Sequence, residues 1–383
     1  MNLSSRTNRV WLLLRCLGRA FFLGVAKKKP SDTSKVIIVP TGKLGDVVCN
    51  TPVLMAIRKH RPKTHIIVAG ATKLHRPLLA DSGLVDEYLD LGERGAIKRI
   101  KESRAQVALV TGPSFESVAP LYLAGVSLIV APKVVGGYSP SETRPYKILQ
   151  KFIKTFPYKM GEYAPRERLK VLEPLNIFSQ DTQKHLGFSE TANKTIEEFF
   201  TINNINLGKD FIVGMSPSAG NKIKEWPTDR FAKVADYLSE KYNAKIAIIG
   251  SKGEKAKVEE FISYLDKKTI FVNAVGAFNL DELKAFMSKF NLFISVDTGP
   301  IYIAESFSIP TIDITGPIDE KEQPPQGLSH RNVVPPERSR PELFVLNARS
   351  YNREEALRQL HSISVPLVTK EVDLLISDLN KKS

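Results

Sequence analysis

The run Val36-Ile37-Ile38-Val39-Pro40-Thr41-Gly42-Lys43-Leu44-Gly45-Asp46 decides how the rest of the chain is read. Four consecutive β-branched residues predict a strand buried on both faces. Two glycines then let the backbone turn closely, and the apolar positions Val53, Leu54 and Ile57 predict a helix behind the turn. Strand, glycine turn and helix in this order open a parallel βαβ unit.

Working outward, the same rhythm repeats. His65-Ile66-Ile67-Val68, Tyr88-Leu89, Val107-Ala108-Leu109-Val110 and Leu128-Ile129-Val130 read as further strands with helical stretches between them. The pattern breaks through residues 133–170 and a polar, helical region to about residue 205. It restarts at Phe211-Ile212-Val213-Gly214, and a helix follows Trp226-Pro227 with Phe231, Val234, Ala235 and Leu238 on one face. Ile246–Ile249, Leu292–Val296 and Thr311–Ile314 are later strands; residues 320–342, rich in proline and charge, read as loop, and two polar helices close the chain. The expected fold is therefore α/β with two Rossmann-like domains in series, facing a cleft at the carboxyl ends of both sheets. The predicted boundaries are a basic apolar arm at 1–33, an N-terminal domain at 34–205 and a C-terminal domain at 206–383.

The 383 residues are 42% apolar and 25% charged, which excludes wholesale disorder, and two cysteines exclude a disulfide scaffold. Lys and Arg number 55 against 41 Asp and Glu, a formal charge of +14 that calls for an anionic partner. Part of the excess sits in residues 1–30, which hold seven cations and no acid alongside Trp11, Leu14, Phe21 and Phe22. A spanning helix needs about 20 apolar residues in succession. Arg15 and Arg19 interrupt this one, at roughly 2.5–3.5 kcal/mol each on insertion scales. The segment is expected to lie on an anionic membrane surface, with a solvated or core-docked arm as the plain alternative. Residues 133–170 add nine cations interleaved with Tyr138, Tyr146, Phe152, Phe156, Tyr158 and Tyr163. Such aromatics can stack bases, line a phosphosugar cleft or merely belong to a solvated loop.

The strand ends carry the chemistry. In the first turn, Thr41, Gly42, Lys43 and Gly45 surround Asp46, which can cap the helix or accept a proton from a hydroxyl. In the second half, Ser216-Pro217-Ser218-Ala219-Gly220 precedes Lys222 and Lys224, small residues before cations that suit an anion. Asp297-Thr298-Gly299-Pro300 opens another helix, offering a hydroxyl and free N–H groups, and Gly316-Pro317-Ile318-Asp319 is a second glycine turn beside it. No Asp-x-Asp occurs, the six histidines form no His-x-x-x-His, and there is no Gly-x-Ser-x-Gly elbow. A phosphate leaving group would thus be met by cations and helix N-termini, with no metal and no cofactor expected.

Taken together, these segments resemble glycosyltransferase family 9, the lipopolysaccharide core heptosyltransferases. The resemblance rests on Leu44-Gly45-Asp46 after the first strand, Lys224-Glu225-Trp226-Pro227, Asp297-Thr298-Gly299-Pro300 and Gly316-Pro317-Ile318-Asp319, in that order. It implies the two-domain fold called GT-B, an N-terminal acceptor domain and a C-terminal nucleotide-sugar domain. It also implies inverting, metal-independent transfer, with ADP-heptose as the default donor and a lipopolysaccharide-core or other lipid-linked saccharide as acceptor. Asp46 is then the general base; Lys224 meets the donor phosphates, Glu254 the nucleoside, and Asp297, Thr298 and Gly299 the sugar and diphosphate, with Ser218 in the same site. Where the family usually carries histidine, this chain has Tyr302, which can hydrogen-bond a phosphate but brings no charge. The implied location is cytoplasmic, on the inner face of the cytoplasmic membrane. The competing readings are a nucleotide-sugar epimerase or hydrolase on the same fold, or a non-catalytic protein binding an anionic ligand or nucleic acid.

Overall fold

The computed structural model describes residues 6–23 and 26–381. Of the predicted arm, positions 1–5 and 24–25 lie outside the described residues, as do the side chains of Arg6, Thr7, Phe22 and Leu23. The chain divides into two compact units, residues 1–185 and 186–383.

Unit 1 is built on β1 (Lys35–Val39), β2 (His65–Gly70), β3 (Glu87–Asp90), β4 (Val107–Val110), β5 (Leu128–Val135) and β6 (Lys154–Lys159). They form one parallel sheet in the order β3-β2-β1-β4-β5-β6. Neighbours are in register from Ile37 against Ile67 and Ala108, so the β-branched run at β1 is central and fully buried. Unit 2 repeats the plan with β7 (Ile212–Ser216), β8 (Lys245–Ile248), β9 (Phe271–Asn273), β10 (Leu292–Val296), β11 (Thr311–Ile314) and β12 (His330–Val333). Its parallel order is β12-β11-β10-β7-β8-β9. In each sheet the chain starts in the middle, moves out to one side and then returns to fill the other. The strand order therefore reverses between β1 and β4, and again between β7 and β10. At such a switch point the loops diverge to opposite faces and leave a crevice beyond the strand ends.

Several expectations need correction. Lys154–Lys159 lies within the stretch where the rhythm was expected to break, yet it is the sixth strand of unit 1. Phe156 and Tyr158 are buried while Pro157 and Lys159, on the other face, are exposed, the alternation of a half-buried edge. Tyr146 is also fully buried, its hydroxyl donating to the Pro132 carbonyl at 2.6 Å, so Tyr146, Phe156 and Tyr158 are core and cannot stack on a base, whereas Tyr138 is exposed. Likewise, β12 lies within residues 320–342, expected as loop. The domain boundary falls 20 residues earlier than 205. The helix Glu190–Ile202 belongs to unit 2 because Phe199 and Phe200 pack on Phe286 at 5.6 and 4.9 Å between ring centroids. At its start, Ser189 Oγ donates to Asp281 Oδ2 at 2.7 Å.

The N-terminal arm is a helix, Arg6–Leu23, and part of unit 1. Leu12 and Cys16 are buried in the unit's core beside Tyr122, and Arg9 pairs with Glu116 at 2.5 Å. The opposite face leaves Val10, Trp11, Leu14, Leu17 and Phe21 exposed. Among the described residues no helix is long and apolar enough to cross a membrane.

Candidate active site

Unit 1 presents one carboxylate at its switch point. Gly42 turns the chain after β1 with φ +109°, and a Cβ there would lie 2.3 Å from Asp46 Oδ2, so the close approach requires glycine. The next helix runs Leu44–Val48, which makes Asp46 its third residue and not the cap that the spacing allowed. Asp46 Oδ2 accepts the Lys43 N–H at 3.0 Å, and Oδ1 accepts from Arg168 Nη2 at 2.9 Å. The Arg168 side chain is 4% exposed and that of Asp46 is 24% exposed. A buried guanidinium thus fixes one oxygen, a backbone amide the other, and lone pairs stay open to solvent for an incoming hydroxyl. Thr41, half-buried beside this turn, donates its N–H to Thr111 Oγ1 at 3.4 Å across β1 and β4. Lys43 is exposed and Gly45 is buried under the turn.

Unit 2 gathers two groups at its own switch point. Lys224 ends a short 3-10 turn, Lys222–Lys224, after β7. Trp226, fully buried, anchors that turn: its indole N–H donates to the Ile363 carbonyl at 3.0 Å and its ring meets Phe231 edge-on at 5.1 Å. Pro227 then leads into the helix Thr228–Tyr242. Lys224 Nζ reaches Asp297 Oδ2 at 2.6 Å, at the end of β10. Asp297 also accepts from the Tyr302 hydroxyl, and Tyr302 itself is buried. Tyr302 thus braces the carboxylate that holds Lys224. Thr298 is the cap of the helix Gly299–Ser306 and its side chain makes no capping hydrogen bond, so its hydroxyl and the first N–H groups together suit an anion.

The second group joins Ser218 and Glu254. Ser218 Oγ donates to Glu254 Oε1 at 2.8 Å, and the Ser251 N–H donates to Oε2 at 2.6 Å. Burial alone would push this carboxyl up, but the hydrogen bonds from Ser251 and Ser218 outweigh it and hold Glu254 below the ordinary range. A carboxylate kept ionised at a loop after β8 is suited to accept ribose hydroxyls.

Two functional neighbours were not singled out by sequence reasoning. Arg168 was one cation among nine in the basic stretch; only the fold carries it across 122 positions to Asp46. Asp313 was read inside a strand, and an acid in a β-branched run was the available signal. It is fully buried on β11, in register with Ser295 and Asn332, and neither oxygen has a hydrogen-bond partner among the described residues. Burial pushes its carboxyl well above the usual range, Asp297 and Glu305 add to the push, and Lys224 opposes it. Among the described residues, no three His, Cys, Asp or Glu side chains gather as metal ligands.

Comparison with known proteins places this arrangement. The sequence model for "Glycosyltransferase family 9 (heptosyltransferase)" matches residues 98–347. Lipopolysaccharide heptosyltransferase 3 of Escherichia coli (strain K12) is 24% identical over 284 residues, 72% of this chain and 80% of that protein. Lipooligosaccharide heptosyltransferase 2 of Campylobacter jejuni is 25% identical over 282 residues, covering 72% and 79%. Among solved structures, a family 9 glycosyltransferase from Veillonella parvula superposes with TM-score 0.66 at 21% identity, over 79% of this chain and 86% of that one. The ADP-heptose lipopolysaccharide heptosyltransferase II of E. coli gives 0.65 at 17% identity, over 88% and 99%. Two Rossmann-like domains with these neighbours define the GT-B fold. The chain belongs to glycosyltransferase family 9, the heptosyltransferases.

Proposed function

We propose that this enzyme transfers heptose from ADP-heptose to a hydroxyl of a lipid-linked, lipopolysaccharide-core saccharide, with inversion and without metal. The acceptor oxygen attacks the anomeric carbon and its proton passes to the Asp46 carboxylate. The anomeric C–O bond to the diphosphate breaks with its electron pair, and ADP departs. One displacement inverts the centre. The observation that carries the reading is Asp46, fixed by Arg168 and the Lys43 amide with an open face at the switch point of unit 1.

Unit 2 supplies the donor side. Lys224 has three N–H donors, and Asp297 engages the ammonium through Oδ2 and the main-chain oxygen, leaving capacity for a phosphate oxygen. The start of Gly299–Ser306 and the Thr298 hydroxyl add neutral donors, and Glu254 with Ser218 is assigned to the nucleoside. The charge that develops on the leaving diphosphate is met by the Lys224 ammonium together with these N–H and O–H donors. A lipid-linked acceptor places the enzyme on the inner face of the cytoplasmic membrane, and the exposed apolar face of Arg6–Leu23 supports that location.

The test is transfer from ADP-heptose, and from UDP- and GDP-sugars, onto isolated core acceptor with chelator present, read by product mass. Selective transfer from ADP-heptose that Asp46→Asn removes, with ADP binding kept, is expected. Preference for another nucleotide would replace the donor, and equal turnover by Asp46→Asn would remove the base assignment.

A further inference from the structure

Unit 1 contains a cavity of about 680 Å³ between the helix Arg6–Leu23, the turn after β3 and the helix Ala96–Ser103. That volume is within the range of pockets that enclose small ligands. Its walls include Trp11, Leu12, Ala96, Ile97 and Pro120. Arg15, Arg94, Lys98 and Lys101 also line it, and the one acid there, Glu93, is paired with Arg99. An apolar interior with a cationic border is complementary to an amphiphile bearing a negative head. On another face of the same helix Val10, Leu14 and Phe21 are exposed, and Arg15 lies over the Trp11 ring at 4.5 Å.

We propose that this cavity holds an acyl chain of an anionic phospholipid, with the headgroup phosphate on Lys98, Lys101 and Arg94. Apolar contacts take the chain out of water, and the cations meet the head at the membrane level where the exposed helix face sits. The cavity thereby turns a general attraction to an anionic surface into a discrete lipid site. It rests on the membrane-facing part of the proposed function and is independent of which sugar is transferred.

The protein carries its own probe. Of its two tryptophans, Trp11 lines the cavity and Trp226 is fully buried in unit 2. Lysophosphatidylglycerol brominated in its chain, added as monomer below its micelle concentration, should quench Trp11 saturably at one lipid per protein. The choline analogue should bind at least tenfold more weakly. The exposed double variant Lys98→Glu/Lys101→Glu should weaken the quenching at least tenfold while keeping transfer to a soluble acceptor and the melting temperature. Absence of quenching, equal quenching by the choline lipid, or an unchanged affinity in the variant overturns the proposal. A dimer that the double variant abolishes, without lipid quenching, assigns the cavity to a second copy instead. Sedimentation with phosphatidylglycerol vesicles is measured separately: monomer quenching without vesicle binding keeps the lipid site and removes the membrane reading.

Discussion

Replacing Asp313 by Asn tests the electrostatics around the Lys224–Asp297 pair through stability alone. The native carboxyl is buried among Asp297, Glu305 and Lys224 and is held well above its ordinary range, so it carries a proton where the unfolded chain does not. In the unfolded chain it titrates near pH 3.9. Below that pH both states bind the proton and the contribution is complete. Above it, unfolding releases a proton, and wild-type stability falls by about 1.4 kcal/mol per pH unit relative to a side chain that cannot ionise. The decline ends where the native carboxyl itself ionises. Asn is nearly isosteric and neutral, so the stability difference between Asp313→Asn and wild type should rise in the variant's favour with that slope from about pH 4 upward. Any cost of housing the amide's extra N–H donors is an offset that leaves the slope unchanged. Urea unfolding from pH 3.5 to 8, followed by Trp226 emission in a Trp11→Phe background, reports unit 2, because Trp226 and Ile312 share its core. Parallel pH profiles for the two proteins would refute a protonated native Asp313.

Three further outcomes concern the reacting groups. Arg168→Met should lower the transfer rate about 100-fold by releasing the Asp46 carboxylate from its position, with donor affinity kept. It should also cost about 3 kcal/mol of stability, the lower end for breaking a buried pair, since Asp46 can reach water; calorimetry checks this. Gly42→Ala should abolish most transfer with little effect on ADP binding, because its Cβ would collide with Asp46 Oδ2; unchanged turnover would contradict the turn geometry. Lys224→Ala should raise the ADP dissociation constant about 10- to 100-fold by titration calorimetry, the equivalent of one charge-assisted hydrogen bond at about 1.5–3 kcal/mol. An unaltered constant would remove its phosphate role.

Central strands and their glycine turns were readable because a strand buried on both faces is a near-continuous apolar run and a turn at positive φ favours glycine. Val36–Val39 with Gly42 shows both. The edge strands were harder: Lys154–Lys159 and His330–Val333 bury only one side, so lysine, proline and arginine in them look like loop. Ser218, Lys224 and Asp297 were legible as candidates from their places at strand ends and Glu254 only through the family resemblance; the fold brings Ser218 to Glu254 and Lys224 to Asp297 within hydrogen-bond distance. Tyr302 was legible as a residue out of pattern, but its inward turn onto Asp297 was not.

Local sequence thus determined two α/β halves, their switch-point turns and the residues displayed there, because periodicity, glycine conformation and helix starts depend on neighbours a few positions apart. Tertiary structure alone decided that Arg168 grips Asp46, that Asp313 is buried near the Lys224 pair without a hydrogen-bond partner among the described residues, and that the basic N-terminal helix roofs an apolar cavity. Each depends on groups brought together from distant positions, and on the desolvation that only a closed core imposes; a charge has no fixed partner and no burial cost until the chain around it has folded.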